Sequence, residues 1–209
     1  TGYTGLGYTQ STPALTKYKS NGSTLNVAIV GGGYDPYFDD PTHHAANTTS
    51  SMGDQVYIIN TINGGLVSTI NGTGMDFSIP SDPLAFDING DGVFDRAYIG
   101  DLGGNMWRIN FDLTVSKLFS SGGTRRIFYQ PDAVVNSGAV MLYFGTGDRS
   151  NPMDTTVLDR FYAVRDDSTN NLTESDLENV TSQVVQPGST AAQQLAAKII
   201  PMESNNFNP

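Results

Sequence analysis

Residues 82–111 read DPLAFDINGDGVFDRAYIGDLGGNMWRINF and carry a pattern that recurs along the chain. Pro83 leads a short apolar run, a polar turn follows, a second apolar run ends at Gly100, and a third run has Trp107 near its start. A proline is tolerated where a strand begins, and a glycine permits the tight corner at which a strand ends. The stretch therefore predicts three consecutive antiparallel strands, in which the turn at 87–95 joins the first two strands and Trp107 is buried.

Two other parts of the chain show the same three features in the same order. A proline, a glycine and an aromatic residue recur upstream as Pro13, Gly31 and Tyr57, and downstream as Pro131, Gly145 and Tyr162. Repeated units of three or four antiparallel strands are typical of β-propeller blades. We therefore predict an all-β fold, a partial modified β-propeller of about three blades, with a β-sandwich as the alternative. Since propellers usually have about four to eight blades, further blades are expected outside this chain.

The chain changes character near its end. The sequence NLTESDLENVT predicts a short helix near residues 173–181, because Thr173 can cap it with Asp176 three residues further on. Residues 183–209 are polar and alanine-rich. We expect residues 1–182 to form part of the propeller, and 183–209 to be a polar linker or the start of the next blade.

The charge balance excludes several classes of partner. The 209 residues include 11 Lys and Arg against 21 Asp and Glu, a formal net charge of -10. Nucleic acids and anionic membrane surfaces attract clustered basic residues, so neither is an expected partner. No apolar run is long enough to span a bilayer, and the absence of cysteine excludes disulfides.

The turn at 87–95 crowds three carboxylates into one short segment, where like charges repel. Its spacing, D-x-N-x-D-G-x-x-D, matches the first nine positions of the EF-hand calcium loop, with Gly92 at the position of the sharp turn. The expected ligands are the side chains of Asp87, Asn89, Asp91 and Asp95 and the backbone carbonyl of Val93. A hard cation bound to these oxygens would offset the repulsion.

The turn departs from an EF-hand in two ways. Tyr98 occupies the position of the bidentate glutamate, and strands rather than helices are expected on both sides. We therefore predict a calcium-binding hairpin. A solvated acidic turn is the alternative. Magnesium is disfavoured because it requires a stricter octahedral geometry, and transition metals would prefer His or Cys ligands.

Several segments together resemble the C-terminal propeller of the PilY/PilC family, the type IV pilus tip proteins of Gram-negative bacteria. The similarity runs over about residues 5–182 and lies in VAIVGGGYDP, GDQVYIINTINGG, the stretch quoted above, LYFGTGD and NLTESDLENVT. It is most specific where the acidic turn continues into RAYIGDLGGNMWRINF. Some members of the family also carry an Arg-Gly-Asp integrin motif, which this sequence lacks.

The resemblance implies an extracellular module at the pilus tip or the outer-membrane surface. It implies that Ca²⁺ bound by the five ligands named above supports pilus extension against the retraction motor, and with it twitching motility and virulence. It also implies minor pilins or the pilus tip as partners, and adhesion to host cells or abiotic surfaces through the full-length protein.

A catalytic role is the alternative, because quinone-dependent dehydrogenases are also propellers whose blades carry Gly and Trp. They need a cluster of Arg, Glu and Asp around the quinone, and no Glu precedes Glu174. The two histidines, His43 and His44, are adjacent in a polar loop, where a metal or general-base role competes with simple solvation. We therefore expect no catalytic residues and a protein that is not an enzyme.

Overall fold

The computed structural model describes residues 2–20, 22–43, 49–136, 139–168 and 170–180. Within these ranges the chain forms twelve β-strands in three sheets and three short 3₁₀ helices. No helix in this part of the chain is both long enough and apolar enough to cross a bilayer. The predicted all-β fold of repeated antiparallel sheets is confirmed.

The first sheet consists of four antiparallel strands in chain order, β1 (Ala14–Ser20), β2 (Ser23–Gly31), β3 (Val56–Asn60) and β4 (Leu66–Ile70). In β1 and β2 exposed and less exposed side chains largely alternate, as expected for strands with one covered face. The long connection between β2 and β3 contains two 3₁₀ helices, Pro36–Asp39 and Pro41–His43.

The second sheet contains the strands predicted from residues 82–111. These strands are β5 (Leu84–Phe86), β6 (Arg96–Gly100) and β7 (Asn105–Asn110), which pair in antiparallel fashion, and β8 (Val115–Ser120) completes the unit. The acidic turn joins β5 to β6. The prediction of three consecutive antiparallel strands with this turn as the first hairpin connection is confirmed.

The third sheet has three strands of its own, β9 (Asp132–Asn136), β10 (Ala139–Gly145) and β11 (Phe161–Asp166). The short strand that follows, β12 (Leu172–Thr173), does not complete this sheet. It pairs in parallel with β8 at the outer edge of the second sheet. The end of the third unit therefore ties the second and third blades together.

The repeat alignment is confirmed by the strand registers. In each blade the aromatic residue lies opposite the residue that precedes the corner glycine: Tyr57 opposite Val30, Trp107 opposite Ile99 and Tyr162 opposite Phe144. All three aromatic side chains are buried. The three sequence units are thus structural equivalents.

The second sheet is the middle layer of the core. Trp107 on one of its faces packs into a cluster with Val56 and Ile58 of the first sheet. Tyr98 and Met106 belong to a second cluster, shared with Leu142 and other residues of the third sheet. Because replacing a large buried aromatic side chain with alanine typically costs about 3–5 kcal/mol, both clusters contribute strongly to stability.

The helix expected near residues 173–181 is much shorter than predicted. Thr173 does cap a helical turn, and Asp176 accepts a hydrogen bond from its backbone N–H at 2.8 Å. The turn is a single 3₁₀ turn, Glu174–Asp176, because Leu177 adopts an extended conformation and packs against the second core cluster. Residues 183–209, predicted to be a linker or the start of another blade, lie outside the described residues.

Candidate metal centre

The candidate metal centre is the acidic loop, residues 87–95, between β5 and β6. Its base is closed where Asp95 N donates a hydrogen bond to Phe86 O at 3.0 Å. Gly90 and Gly92 have φ angles of 80° and 83°, in the left-handed region that favours glycine. A Cβ at either position would meet nothing within 4 Å, so backbone conformation, rather than space, requires glycine here.

Asp87 organises the first half of the acidic loop. Its Oδ1 accepts a hydrogen bond from Gly90 N at 2.7 Å, and its Oδ2 accepts one from Gly92 N at 2.6 Å. The hydrogen bond from Gly92, with that from Gly90, lowers the pKa of Asp87 below its ordinary value. The carboxylate is therefore ionised at neutral pH.

Asp95 holds the other end of the acidic loop. Its Oδ2 accepts hydrogen bonds from the backbone N–H of Ile88 at 2.7 Å and of Asn89 at 3.2 Å. Between the two ends, Asn89 Oδ1 accepts from Asp91 N and Asp91 Oδ1 accepts from Val93 N, both at 2.9 Å. The predicted ligand side chains thus hold the loop's own backbone in shape.

The acidic loop has the ligand chemistry of a cation site, but its ligands do not converge on one point. Its donors are all oxygen atoms (three carboxylates, one amide and one carbonyl), which suits a hard cation, and each carboxylate oxygen has a further lone pair. Within the described ranges, however, no three His, Cys, Asp or Glu side chains form a group that could hold a metal ion. The structure brings the five predicted ligands into one loop without converging them on one point.

A buried carboxylate that sequence analysis missed lies at the opposite end of β6. Asp101 is fully buried, and its Oδ2 accepts a hydrogen bond from Trp107 Nε1 at 2.7 Å. Asn105 donates to the same carboxylate from its backbone N–H at 2.9 Å and from its side-chain amide. Burial raises the pKa of Asp101 to about 6, although these hydrogen bonds act in the opposite direction.

Asp101 is one of three aspartates that follow the corner glycines. Each blade has an aspartate within four residues after its corner glycine, and this aspartate accepts a hydrogen bond from a backbone N–H further along the chain: Asp35 from Ser51, Asp101 from Asn105 and Asp148 from Ser150. The sequence pattern that could have identified these residues is an aspartate shortly after each of Gly31, Gly100 and Gly145. These residues shape the corners.

A second buried carboxylate, Asp166 at the end of β11, joins the second and third blades. It pairs with Arg96 at 2.8 Å and with Arg108 at 2.5 Å, and it accepts a hydrogen bond from Tyr98 at 2.8 Å. Burial, together with the nearby charge of Asp166, raises the pKa of the Tyr98 hydroxyl well above its ordinary value. Arg96 directly follows Asp95, so the acidic loop continues without interruption into this inter-blade cluster.

Most of this chain matches a family of known proteins. Residues 3–150 match the model of the PilY1 beta-propeller domain family, and the match includes the first two blades and the whole acidic loop. The chain belongs to this family. The resemblance to the PilY/PilC family inferred from the sequence is thereby confirmed.

Two individual PilY1 proteins are similar to this chain. A protein from Xylella fastidiosa named "Type IV pilus biogenesis factor PilY1 homolog" is 27% identical over 175 residues, which cover 79% of this chain and 13% of that protein. The crystal structure of the Pseudomonas aeruginosa PilY1 C-terminal domain superposes with a TM-score of 0.53 at 22% identity, over 80% of this chain and 52% of that chain. The chain thus spans about half of the solved domain, and this likeness shows the fold.

His43, in the connection between β2 and β3, lies in the part of the chain that matches the PilY1 family. The imidazole of His43 stacks on Tyr37 with ring centroids 3.7 Å apart, and its Nδ1 lies 2.8 Å from Tyr37 O. Because a carbonyl oxygen can only accept, Nδ1 carries the proton. His44 lies outside the described residues.

Proposed function

We propose that this chain is the calcium-binding propeller module of a type IV pilus biogenesis protein. In this proposal the module is extracellular, at the pilus tip or the outer-membrane surface, and supports pilus extension against retraction and therefore twitching motility. The observation that carries the proposal is the acidic loop, in which five oxygen donors at EF-hand spacing occupy a preformed hairpin turn of a PilY1-type blade.

The acidic loop would hold Ca²⁺ with the side chains of Asp87, Asn89, Asp91 and Asp95 and the carbonyl of Val93. Calcium accepts six to eight oxygens in flexible geometry, so water would complete the shell. Bound there, the cation supplies positive charge that offsets the repulsion among the three carboxylates. Asp87 and Asp95 already fix the backbone of the loop by accepting N–H groups, and binding would turn ligand oxygens that do not meet at one point in the structure toward one cation.

The position of the acidic loop suggests how binding would affect the module. The loop closes the β5–β6 hairpin, and Arg96 at its end reaches Asp166 of the third blade. Binding stabilises the folded state by RT ln(1 + [L]/Kd), so it would hold this hairpin closed while a pilus bears load. Contacts with minor pilins, host cells or abiotic surfaces would involve the full-length protein.

A quinone-dependent enzyme is the less favoured function. Trp107 is 1% exposed and donates its indole N–H to Asp101, so its ring is committed to the blade core rather than to a cofactor. The curated relative is named a biogenesis factor. We therefore propose a role other than catalysis.

Isothermal titration calorimetry with CaCl₂ tests the proposed site. We expect the chain to bind calcium with a Kd on the order of 10⁻⁶ to 10⁻⁴ M, because the loop lacks the bidentate glutamate of tight EF-hands. Asp91→Ala should abolish this binding and leave the β-sheet circular dichroism unchanged, since Asp91 is exposed.

Asp132→Ala is the matched control. Asp132 is also an exposed carboxylate, but it lies at the start of β9, at the end of the blades opposite to the acidic loop, where it accepts a hydrogen bond from Ala133 N at 2.8 Å. Its removal should leave the calcium affinity unchanged. Equal binding by the wild type and Asp91→Ala would show that the loop is an acidic turn and not a calcium site.

A further inference from the structure

A cavity of about 250 Å³ lies between residues 124–129, which connect β8 to β9, and the loop at 147–159 between β10 and β11. Because neighbouring strands in each sheet are antiparallel, these connections lie at the end of the blades opposite to the acidic loop. The cavity is therefore separate from the proposed calcium site, and its function can be tested independently.

The walls of the cavity are fixed by a pair of arginines. Arg125 Nε donates to Leu158 O at 2.7 Å, and Arg126 Nε pairs with Asp148 Oδ2 at 3.0 Å. Gly147 N also donates to Arg126 O at 2.9 Å. Both sides of the cavity are thus held together by hydrogen bonds, as expected for a preformed binding site.

One of the arginines that line the cavity has a hydrogen-bond donor without a partner among the described residues. The Arg126 side chain is 6% exposed, its guanidinium lies 4.7 Å from the centroid of the Phe38 ring, and its Nη1 is buried with no hydrogen-bond partner in the part of the chain that the structure describes. Buried polar groups in proteins are nearly always hydrogen-bonded, and an unsatisfied one is costly. Arg126 therefore contributes to the cavity wall a guanidinium whose donors are not all used within the described residues.

The charges around the cavity favour a neutral molecule. The lining includes two cations and three anions: Arg126, Arg149, Asp148, Asp154 and Asp159. Arg126 and Asp148 already neutralise each other, so an anionic ligand would face the carboxylates of Asp154 and Asp159 and a cationic ligand would face the guanidinium of Arg149. A neutral ligand that both donates and accepts hydrogen bonds can use both kinds of group.

The apolar part of the lining favours a ring. Tyr129 is 60% exposed at the cavity, and the guanidinium of Arg149 lies 5.4 Å from the centroid of its ring. Pro152 and Val157 add further apolar surface. We propose that this cavity binds one ring of a neutral saccharide, whose hydroxyls both donate and accept and whose C–H face packs on an aromatic ring. Its volume is just below the range of about 300–1,000 Å³ typical of ligand pockets, which fits a single ring.

Saturation-transfer difference NMR on the full 209-residue chain tests this inference. The probes are the methyl glycosides of glucose, galactose and mannose, with methyl glucuronide as an anionic counterpart, all in the presence of a calcium chelator. We expect at least one neutral glycoside to bind with a Kd on the order of 1 mM, as is usual for one small ring, and to bind more tightly than the glucuronide.

Two exposed side chains provide a matched pair of variants. Tyr129→Ala removes the ring at the cavity and should raise the Kd by about fivefold to tenfold. Phe111→Ala removes an aromatic ring of similar exposure, 63%, at the opposite end of the second blade, and should leave the Kd unchanged. Arg149→Ala, also at an exposed position, should weaken binding in the same way as Tyr129→Ala.

Three results would overturn the inference. These are no binding of any neutral glycoside, tighter binding of the glucuronide than of every neutral glycoside, and equal affinity of Tyr129→Ala and the wild type. Because calcium is absent throughout, failure here leaves the proposed calcium site untouched, and failure of the calcium titration leaves this cavity untouched.

Discussion

Asp166→Ala should destabilise the fold more than most single substitutions. The Asp166 side chain is fully buried, and the partners that it neutralises, Arg108 and Arg96, are 6% and 23% exposed. Removing one partner of a buried ion pair leaves an uncompensated charge and typically costs about 3–5 kcal/mol. Since domains unfold with a total of about 5–15 kcal/mol, this loss is a large fraction of the stability.

The loss can be measured by thermal and urea denaturation. In a chain of this size each kcal/mol corresponds to about 2–4 °C in Tm, so the melting temperature should fall by about 6–20 °C. Asp132→Ala is the control, because it removes an exposed carboxylate and should change stability by about 1 kcal/mol or less. If Asp166→Ala melts within a few degrees of this control, Asp166 does not stabilise the contact between the second and third blades.

Two further predictions concern single groups. The pKa of Asp101 is raised from 3.8 in the unfolded chain to about 6 in the folded protein. The contribution of Asp101 to the free energy of unfolding is therefore fully present below pH 3.8 and is lost as the pH rises through 6. Trp107, the single tryptophan, donates its indole N–H to Asp101, so the NMR resonance of this indole proton should titrate with a midpoint near pH 6. The titration would be followed from pH 4 to 8, about two pH units on either side of the midpoint, and a resonance that does not shift over this range would contradict the prediction. Gly92→Ala should cost about 1–2 kcal/mol in urea denaturation because φ there is 83°, whereas an unchanged midpoint would show that the loop relaxes without strain.

The local features of the fold could be predicted because each has a cause within a few residues. The corner glycines and the aromatic residues fixed the strand equivalence, and the registers of Tyr57, Trp107 and Tyr162 agree with it. The hairpin turn at 87–95 followed from its own spacing. In each case backbone preference and burial of one strand face act over a short range.

The features that sequence analysis missed depend on distant parts of the chain. Asp166 meets Arg96 and Arg108 across 70 and 58 positions, and no local pattern marks that contact. The parallel pairing of β12 with β8 is likewise set by packing between blades. The helix at Thr173 was predicted too long because its cap is a local signal, whereas its end is determined by the packing of Leu177 against the core.

The central claim, that calcium in the acidic loop supports pilus extension, is tested most directly by counting surface pili. The counts would be made in a bacterium whose full-length protein carries Asp91→Ala or the control Asp132→Ala, with and without its retraction motor. We expect Asp91→Ala to reduce surface pili, deletion of the motor to restore them, and Asp132→Ala to have no effect. Unchanged piliation in Asp91→Ala, or a loss that persists without the motor, would contradict the claim.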